Sequence, residues 1–321
     1  MRVLVTGAFG YVGRAVIRRA VGAGHEVVAL SSRAREGGGD VREGVRVVVG
    51  DVRDRDRLRS VLEDADIDAV CHLAGLIRVR ESFERPEEYH AVNAQGTVNL
   101  LEAAAGARAR AGRERARPVR FVQASTAAVY GAPGVQPIDE DAAAAPTSPY
   151  GTSKLAADEA VRTFAAAGDV DATCLRTFNV AGCVGGHGDP DETRIIPRTL
   201  LAAAGLRPAL EINGDGSAVR DFVHVDDLAR AYLLALETRD AEGFRVYNVG
   251  ATGASVREIV AVAEAVTGRA VPRVHGPARP EVPVLLADKR RIREQLGWKP
   301  ERSSLREMIA DTWEALGGSA D

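Results

Sequence analysis

Along the first half of the chain, short runs of apolar residues alternate with segments whose apolar positions recur every three or four residues. Short runs of this kind read as buried strands and the longer periodic segments as amphipathic helices. The pattern predicts strands at Arg2–Thr6, Glu26–Leu30, Val45–Val49, Ala69–Leu73, Arg120–Ala124 and Ala172–Thr177. Helices are predicted between them at Val12–Ala23, Arg55–Leu62, Pro86–Ala105 and Gly151–Ala167. Strands spaced by helices imply right-handed βαβ units, and hence an α/β fold with a parallel, doubly wound sheet of the Rossmann type.

The alternation fades after Thr177. A Gly- and Pro-rich stretch follows at Gly182–Pro197, long enough for a connection to suggest function. Beyond it the pattern predicts helices at Pro197–Ala204, Val225–Leu236, Val256–Thr267 and Leu305–Leu316, with a strand at Val246–Val249. The expected organisation is a doubly wound α/β domain over 1–177, to which the chain returns at about 222–250, and a smaller C-terminal lobe over 178–321. The basic segment Gly106–Arg117, between a helix and a strand, reads as a solvated surface insertion.

Composition changes this picture little. A net charge of −3 over 321 residues argues against a broad nucleic-acid face. No run approaches the roughly 18 apolar residues of a membrane span. Val3-Leu4-Val5 is too short for the apolar stretch of a signal peptide. Cys71, Cys174 and Cys183 lack metal-type spacing and read as buried, reduced thiols. The expected compartment is the cytoplasm.

Chemistry enters at Gly7-Ala8-Phe9-Gly10-Tyr11-Val12-Gly13, a G-x-x-G-x-x-G loop between the first strand and first helix. Gly7 would permit the tight turn, Gly10 the approach of backbone to a pyrophosphate at the helix N-terminus, and Gly13 close helix–strand packing. That context points to a dinucleotide. An acid at the end of the second strand would favour NAD. This chain has Ser31, Ser32 and Arg33 there, which suit a 2′-phosphate and lean towards NADP. Asp51, after the third strand, is placed for the adenine edge. Leu73-Ala74-Gly75, after the fourth, would form a small-residue floor near the nicotinamide ribose.

Tyr150 and Lys154 are four residues apart and so share one helical face. A phenol of ordinary pKa about 10 is a poor base at neutral pH. A neighbouring ammonium and a positively charged nicotinamide favour phenolate, which can take a proton from a sugar hydroxyl. The preceding strand ends in Ser125 and Thr126, either of which can hydrogen-bond the same oxygen.

These stretches together resemble an extended short-chain dehydrogenase/reductase, most closely the UDP-glucose 4-epimerase group. The resemblance runs nearly the whole length: MRVLVTGAFGYVG, GDVRD, HLAGLIRVRES, ASTAAVYG, SPYGTSK, RTFNVAG, VRDFVHVDDLA and YNVG. It implies Thr126 as the catalytic hydroxyl, Tyr150 as base and Lys154 as its partner. The candidate cofactor set becomes Gly7, Phe9, Gly10, Tyr11, Val12, Gly13, Ser31, Ser32, Arg33, Asp51, Val52, Leu73, Ala74, Gly75, Asn93, Ala124, Ser125, Tyr150, Lys154 and Thr177. Thr126, Asn179, Arg194, Ile195, Asn213, Arg220, Arg279 and Glu281 are the candidate substrate residues. The resemblance leans towards NAD. It also implies a homodimer through the two long helices, and a nucleotide-diphosphate sugar as substrate.

The chain departs from this group in places. Ser31 replaces an acid, Ile77 a lysine and Arg194 an amide, and the late nucleotide segment is shortened to Arg279-Pro280-Glu281. Leu285 stands at the pocket position that separates plain from N-acetylated hexoses. Ala127-Ala128 lack the acids of related dehydratases and decarboxylases. What remains needs hydride and proton transfer at one carbon. That means 4-epimerisation or, as the alternatives, NADPH-dependent reduction of a 4-keto sugar or a non-catalytic nucleotide sensor.

Overall fold

The computed structural model describes residues 1–32, 44–110, 117–238, 243–278 and 282–318. In chain order the first elements are β1 (Arg2–Thr6), α1 (Tyr11–Gly22), β2 (Glu26–Ser31), β3 (Val45–Val49), α2 (Arg55–Asp64), β4 (Ala69–His72), α3 (Val79–Glu84), α4 (Pro86–Tyr89), α5 (Gly96–Arg110), β5 (Val119–Thr126), α6 (Pro149–Ala166) and β6 (Val170–Thr177). There follow β7 (Asn179–Ala181), α7 (Ile195–Ala203), β8 (Leu210–Asn213), β9 (Val219–His224), α8 (Val225–Glu237), β10 (Phe244–Val249), β11 (Thr252–Ser255), α9 (Val256–Thr267), β12 (Arg273–Gly276), β13 (Val284–Leu285), α10 (Arg290–Leu296) and α11 (Leu305–Ala315).

Seven strands form the central sheet in the order β10-β6-β5-β4-β1-β2-β3. The pairs β1–β2, β2–β3, β1–β4 and β4–β5 are parallel. The strand order reverses at β1, between β2 and β4, which makes the crevice beyond the carboxyl ends of β1 and β4 the place for a ligand in such a sheet. The expected Rossmann-type sheet is therefore present.

The chain divides into two compact units. The first comprises Met1–Pro133, Asp141–Arg176 and Arg230–Tyr247, the second Gly134–Glu140, Thr177–Ala229 and Asn248–Asp321. Leu4, Val28, Leu58, Val70, Leu100, Phe121 and Val161 pack the core of the first unit. Within the second, β9 pairs with β7, β11 and β13, and β8 pairs with β12. Ile196, Leu200, Ile212, Phe222, Ile259, Met308 and Trp313 form its core.

One predicted helix is corrected. Pro86–Ala105 is not a single α-helix: α4 gives way to a π-helical segment at His90–Gln95, and α5 begins only at Gly96. Gly96 is needed there, because a Cβ on it would lie 2.7 Å from Cγ2 of Val52. Such π segments occur often at functional sites, and this one carries Asn93. Cys183 is also corrected: it is only half-buried, unlike Cys71 and Cys174, and all three thiols are free.

Candidate active site

The glycine loop closes the gap between β1 and α1. Gly7 has φ +64, the left-handed region that glycine adopts without penalty. A Cβ on Gly7 would also strike the backbone nitrogen of Ala74 at 2.7 Å, and one on Gly13 the carbonyl of Gly7 at 2.3 Å. These two glycines are explained by the protein's own packing. Gly10 is different: it is exposed, and its Cβ would meet only Gly7 O, at 3.2 Å. Gly10 is also the N-cap of α1, with no side-chain cap and no acid in the first turn. The amides and the positive dipole end of α1 are thus uncapped by side chains beside a position kept bare, which fits a bound pyrophosphate. Phe9 accepts Arg14 Nε on its carbonyl at 3.1 Å, which braces the loop. Tyr11 and Val12, in the first turn, are half-buried.

Ser31 ends β2 and Ser32 follows it as an exposed residue. Arg33 lies outside the described residues. Asp51 does not present an unoccupied carboxylate: Arg53 donates to it from its backbone nitrogen at 2.9 Å, from Nε at 2.9 Å and from Nη2 at 2.7 Å. The Arg53 side chain holds the Asp51 carboxyl below its usual range. Val52 is buried.

A chain of buried hydrogen bonds ties this loop to α6. Ala74 N donates to Thr6 Oγ1 at 3.1 Å, so the Thr6 hydroxyl is left to donate to His72 Nδ1 at 2.7 Å. Nε2 of His72 then donates to Thr97 Oγ1 at 3.0 Å, and Thr97 donates to the carbonyl of Asn93 at 2.7 Å. That order fixes the tautomer of a neutral ring. Burial, with the nearby Lys154 cation, pushes His72 down to about 3. Asn93 in turn donates from Nδ2 to Leu76 O and to Ser153 Oγ, both at 3.0 Å, and Ser153 donates to the carbonyl of Tyr150 at 2.8 Å. The sequence alone does not single out His72, Thr6 and Thr97. Their signal was weak, because single polar residues in apolar runs are indistinguishable from caps.

Helix α6 begins at Ser148, whose hydroxyl accepts from Gly151 N, with Pro149 in its first turn. Tyr150, Lys154 and Asp158 follow one another at intervals of four along its buried face. Tyr150 packs edge-to-face on Tyr89, with ring centroids 6.3 Å apart. Lys154 is 4 % exposed. A Cβ built on Gly75 would lie 3.5 Å from its Nζ and 2.9 Å from Asn93 Oδ1. Glycine at 75 thus keeps the floor of the crevice clear beside the ammonium. Burial pushes Lys154 down to about 8, opposed by the Asp158 carboxylate.

The strand end separates the two candidate hydroxyls. Ser125 donates to Asp158 Oδ2 at 2.7 Å, so its proton is committed inside the protein. Thr126 Oγ1 accepts from Ala128 N at 3.2 Å, as the cap of a single 3₁₀ turn, Ala127–Tyr130. An accepting hydroxyl of this kind keeps its own proton for a further acceptor. Ala124 is half-buried on β5. Thr177 ends β6, and its Oγ1 is buried with no hydrogen-bond partner among the described residues. Such an orphan fits a bound ligand.

The lysine gives a stability prediction. Its depression from 10.5 to about 8 means that the unfolded chain binds the extra proton between those values, so stability rises with pH across that window. At pH 7 the buried ammonium costs about 3 kcal/mol. Lys154→Met is expected to resist urea better than wild type at pH 7, and the advantage to shrink as pH rises from 8 to 10.5. A difference independent of pH would mean that another group titrates.

Apart from Thr126, the candidate substrate residues lie in the second unit. Asn179 opens β7 and donates from Nδ2 to the carbonyl of Asp221 at 3.0 Å. Arg194 is the N-cap of α7 and pairs with Asp189 at 3.2 Å and Asp191 at 3.9 Å; Ile195 begins that helix. Asn213 ends β8, exposed. Arg220 on β9 donates to Val219 O at 2.9 Å and is in register with Leu285 of β13. The Asp221 carboxylate takes the backbone nitrogens of Ala251 and Ala287, and Lys289 at 3.8 Å. Arg279 and Glu281 lie outside the described residues. Among the described residues no cluster of His, Cys, Asp and Glu could hold a metal ion.

The chain is similar to known proteins over nearly its whole length. The model of the NAD dependent epimerase/dehydratase family matches residues 3–250. A UDP-glucose 4-epimerase of Streptomyces lividans is 41% identical over 97% of this chain and 94% of its own length. The crystal structure of UDP-glucose 4-epimerase from Brucella ovis in complex with NAD superimposes with a TM-score of 0.91 at 33% identity, covering 100% of this chain and 99% of that one. A UDP-glucose 4-epimerase from Bifidobacterium longum, in complex with NAD+ and UDP, has a TM-score of 0.87 at 29% identity, covering 99% and 98%. The chain belongs to the NAD dependent epimerase/dehydratase family.

Proposed function

We propose that this protein is a UDP-hexose 4-epimerase that holds NAD and recycles it. The observation that carries the reading is the buried Tyr150–Lys154 pair beside the bare floor at Gly75, in a chain alike over its full length to UDP-glucose 4-epimerases. NAD, when bound, supplies the two-electron acceptor and donor for C4 of the sugar. Gly7, Phe9, Gly10, Tyr11, Val12 and Gly13 hold its pyrophosphate. Ser31, Ser32, Asp51 and Val52 serve its adenosine half. Leu73, Ala74, Gly75, Asn93, Ala124, Ser125, Lys154 and Thr177 serve its nicotinamide half. The lean towards NADP at Ser31–Arg33 is set aside, since the solved relatives carry NAD.

Tyr150 takes the proton of the C4 hydroxyl while Thr126 donates a hydrogen bond to the same oxygen. Lys154 keeps the phenolate favourable by its charge. The resulting 4-keto sugar turns over about its diphosphate, and Tyr150 returns the proton to the oxygen when C4 is reduced on its other face. Asn179, Arg194, Ile195, Asn213, Arg220, Arg279 and Glu281 hold the nucleotide diphosphate and its sugar. The protein works as a homodimer in the cytoplasm, through the half-buried apolar residues Val92 and Val98 before and within α5, and Leu155 and Ala160 of α6. No helix among the described residues is long and apolar enough to cross a membrane.

The test is direct. Purified protein without added reductant interconverts UDP-glucose and UDP-galactose, and denaturing it releases NAD. Net consumption of NADPH with a 4-keto sugar, and no interconversion, would overturn the reading in favour of a reductase.

A further inference from the structure

Behind Lys154 lies a buried charge cluster for which acid–base chemistry at Tyr150 makes no direct use. Asp158 is 3 % exposed and sits one helical turn beyond Lys154. Its Oδ2 accepts from Ser125 Oγ at 2.7 Å and from Arg176 Nε at 3.3 Å. Its Oδ1 is buried with no hydrogen-bond partner among the described residues. Arg176 on β6 also donates from Nη1 to the Tyr130 hydroxyl at 3.0 Å, with its guanidinium 4.9 Å from the ring centroid. A carboxylate one oxygen short of partners is costly to bury unless its charge does something.

We infer that Asp158 is a positioning residue for the base: its carboxylate is the counter-charge that keeps the buried Lys154 protonated, and through Lys154 it sets the fraction of Tyr150 present as phenolate. Tyr150 and Asp158 share the helical face of Lys154, Asp158, Cys174 of β6 and His72 of β4 interact with its charge, and Arg176 of β6 faces Asp158. Burial, with the Asp158 carboxyl beside it, holds Cys174 as a neutral thiol, and burial with the Lys154 cation keeps His72 neutral. Of the groups that favour the ammonium, the Asp158 carboxylate has the larger effect. Burial pushes its own carboxyl above the ordinary carboxylate range, against the opposing pull of Arg176, Ser125 and Lys154. Ser125 then acts by fixing Asp158.

The sign of the effect follows. Removing the Asp158 charge makes the doubly protonated Tyr150–Lys154 pair less stable, so its first proton leaves at lower pH. The singly protonated pair then holds its remaining proton on the phenol, leaving the lysine neutral. Phenolate is lost although the apparent pKa has fallen. A residue that only packed α6 against β6 would lower activity without that pairing of effects.

The inference rests on Tyr150 as the base, and the test separates the two. Tyrosinate absorbance near 295 nm is titrated without sugar on the NAD-loaded protein, and the part lost in Tyr150→Phe is assigned to Tyr150. In Asp158→Asn the apparent pKa of that part is expected about one unit lower, with its amplitude below the second deprotonation at least about twofold smaller. The acid limb of kcat moves the same way, and Asp158→Glu restores both. Should Asp158→Asn not fold, Asp158→Asn with Arg176→Gln removes both buried charges together, which a core tolerates better than one alone. It is expected to lower the apparent pKa by less than Asp158→Asn does, because the loss of the Arg176 cation partly offsets the loss of the carboxylate it pairs with. An unchanged apparent pKa and amplitude in the folded variant would overturn the inference. Tyr150→Phe losing no 295 nm signal would instead sink the phenolate reading itself.

Discussion

Replacing Tyr150 with phenylalanine is expected to lower kcat for UDP-galactose formation by about 10²- to 10⁴-fold, the range in which a positioned acid–base group contributes. The fold should be indifferent. The ring of Tyr150 packs edge-to-face on Tyr89, and phenylalanine keeps that contact. Tyr89 itself does not take over the chemistry. Its hydroxyl accepts from Arg78 N at 3.1 Å and faces Glu81 Oε2 at 3.0 Å. Burial, with Glu81 beside it, pushes its pKa up to about 12. A phenol so placed stays protonated where Tyr150 must ionise. The expected result is an inactive enzyme with wild-type melting temperature and wild-type NAD content. Activity within tenfold of wild type would require another base, and the hydroxyl already proposed at that oxygen is Thr126.

How far this site could be read from the sequence depends on how local its cause is. The glycine loop was legible because each of its glycines answers a short-range demand, a left-handed turn at Gly7 or a collision with the Gly7 carbonyl at Gly13. Tyr150 and Lys154 were legible because helical spacing alone aligns them. The break in Pro86–Ala105 was not, because six residues of π-helix leave the apolar stripe nearly intact while moving Asn93 inward. The short strands of the second unit escaped for a related reason. Two to four residues, as in β7 or β13, are too few to show alternation, and their register is set by β9, far away in sequence. Asp158 and Arg176 are the clearest case. They stand 18 positions apart among ordinary surface-type charges, and only the packing of α6 on β6 turns them into a buried pair. The one available signal was the continuation of the Tyr150–Lys154 spacing by another four residues.

The glycine loop itself supplies the second large effect, as a contrast between neighbours. At Gly13 a Cβ would sit 2.3 Å from the Gly7 carbonyl and 2.7 Å from that of Ala8, both backbone atoms that cannot yield without moving β1 or α1. Gly13→Ala is therefore expected to destabilise the protein by about 3 kcal/mol, the upper part of the usual range for overpacking, and to lose NAD as well. At Gly10 the backbone is extended, with φ −71 and ψ 170, a conformation alanine adopts freely, and its Cβ would have a single neighbour at 3.2 Å. That neighbour is a backbone oxygen which must give by a few tenths of an ångström, a far smaller demand than the two collisions at Gly13. Gly10→Ala is thus expected to cost the nucleotide-free protein far less stability than Gly13→Ala does, about 1 kcal/mol for the poorer N-cap, while weakening NAD binding by about 10- to 100-fold, since the methyl group occupies the space needed by the pyrophosphate over the α1 amides. Melting of nucleotide-free protein and quantification of the NAD released on denaturation read the two effects separately. If Gly10→Ala releases as much NAD as wild type, the bare position at residue 10 has no ligand above it, and the dinucleotide must cross the loop elsewhere. If instead both variants lose the same stability, the distinction between a packing glycine and a binding glycine fails, and with it the strongest structural argument that this loop holds a cofactor.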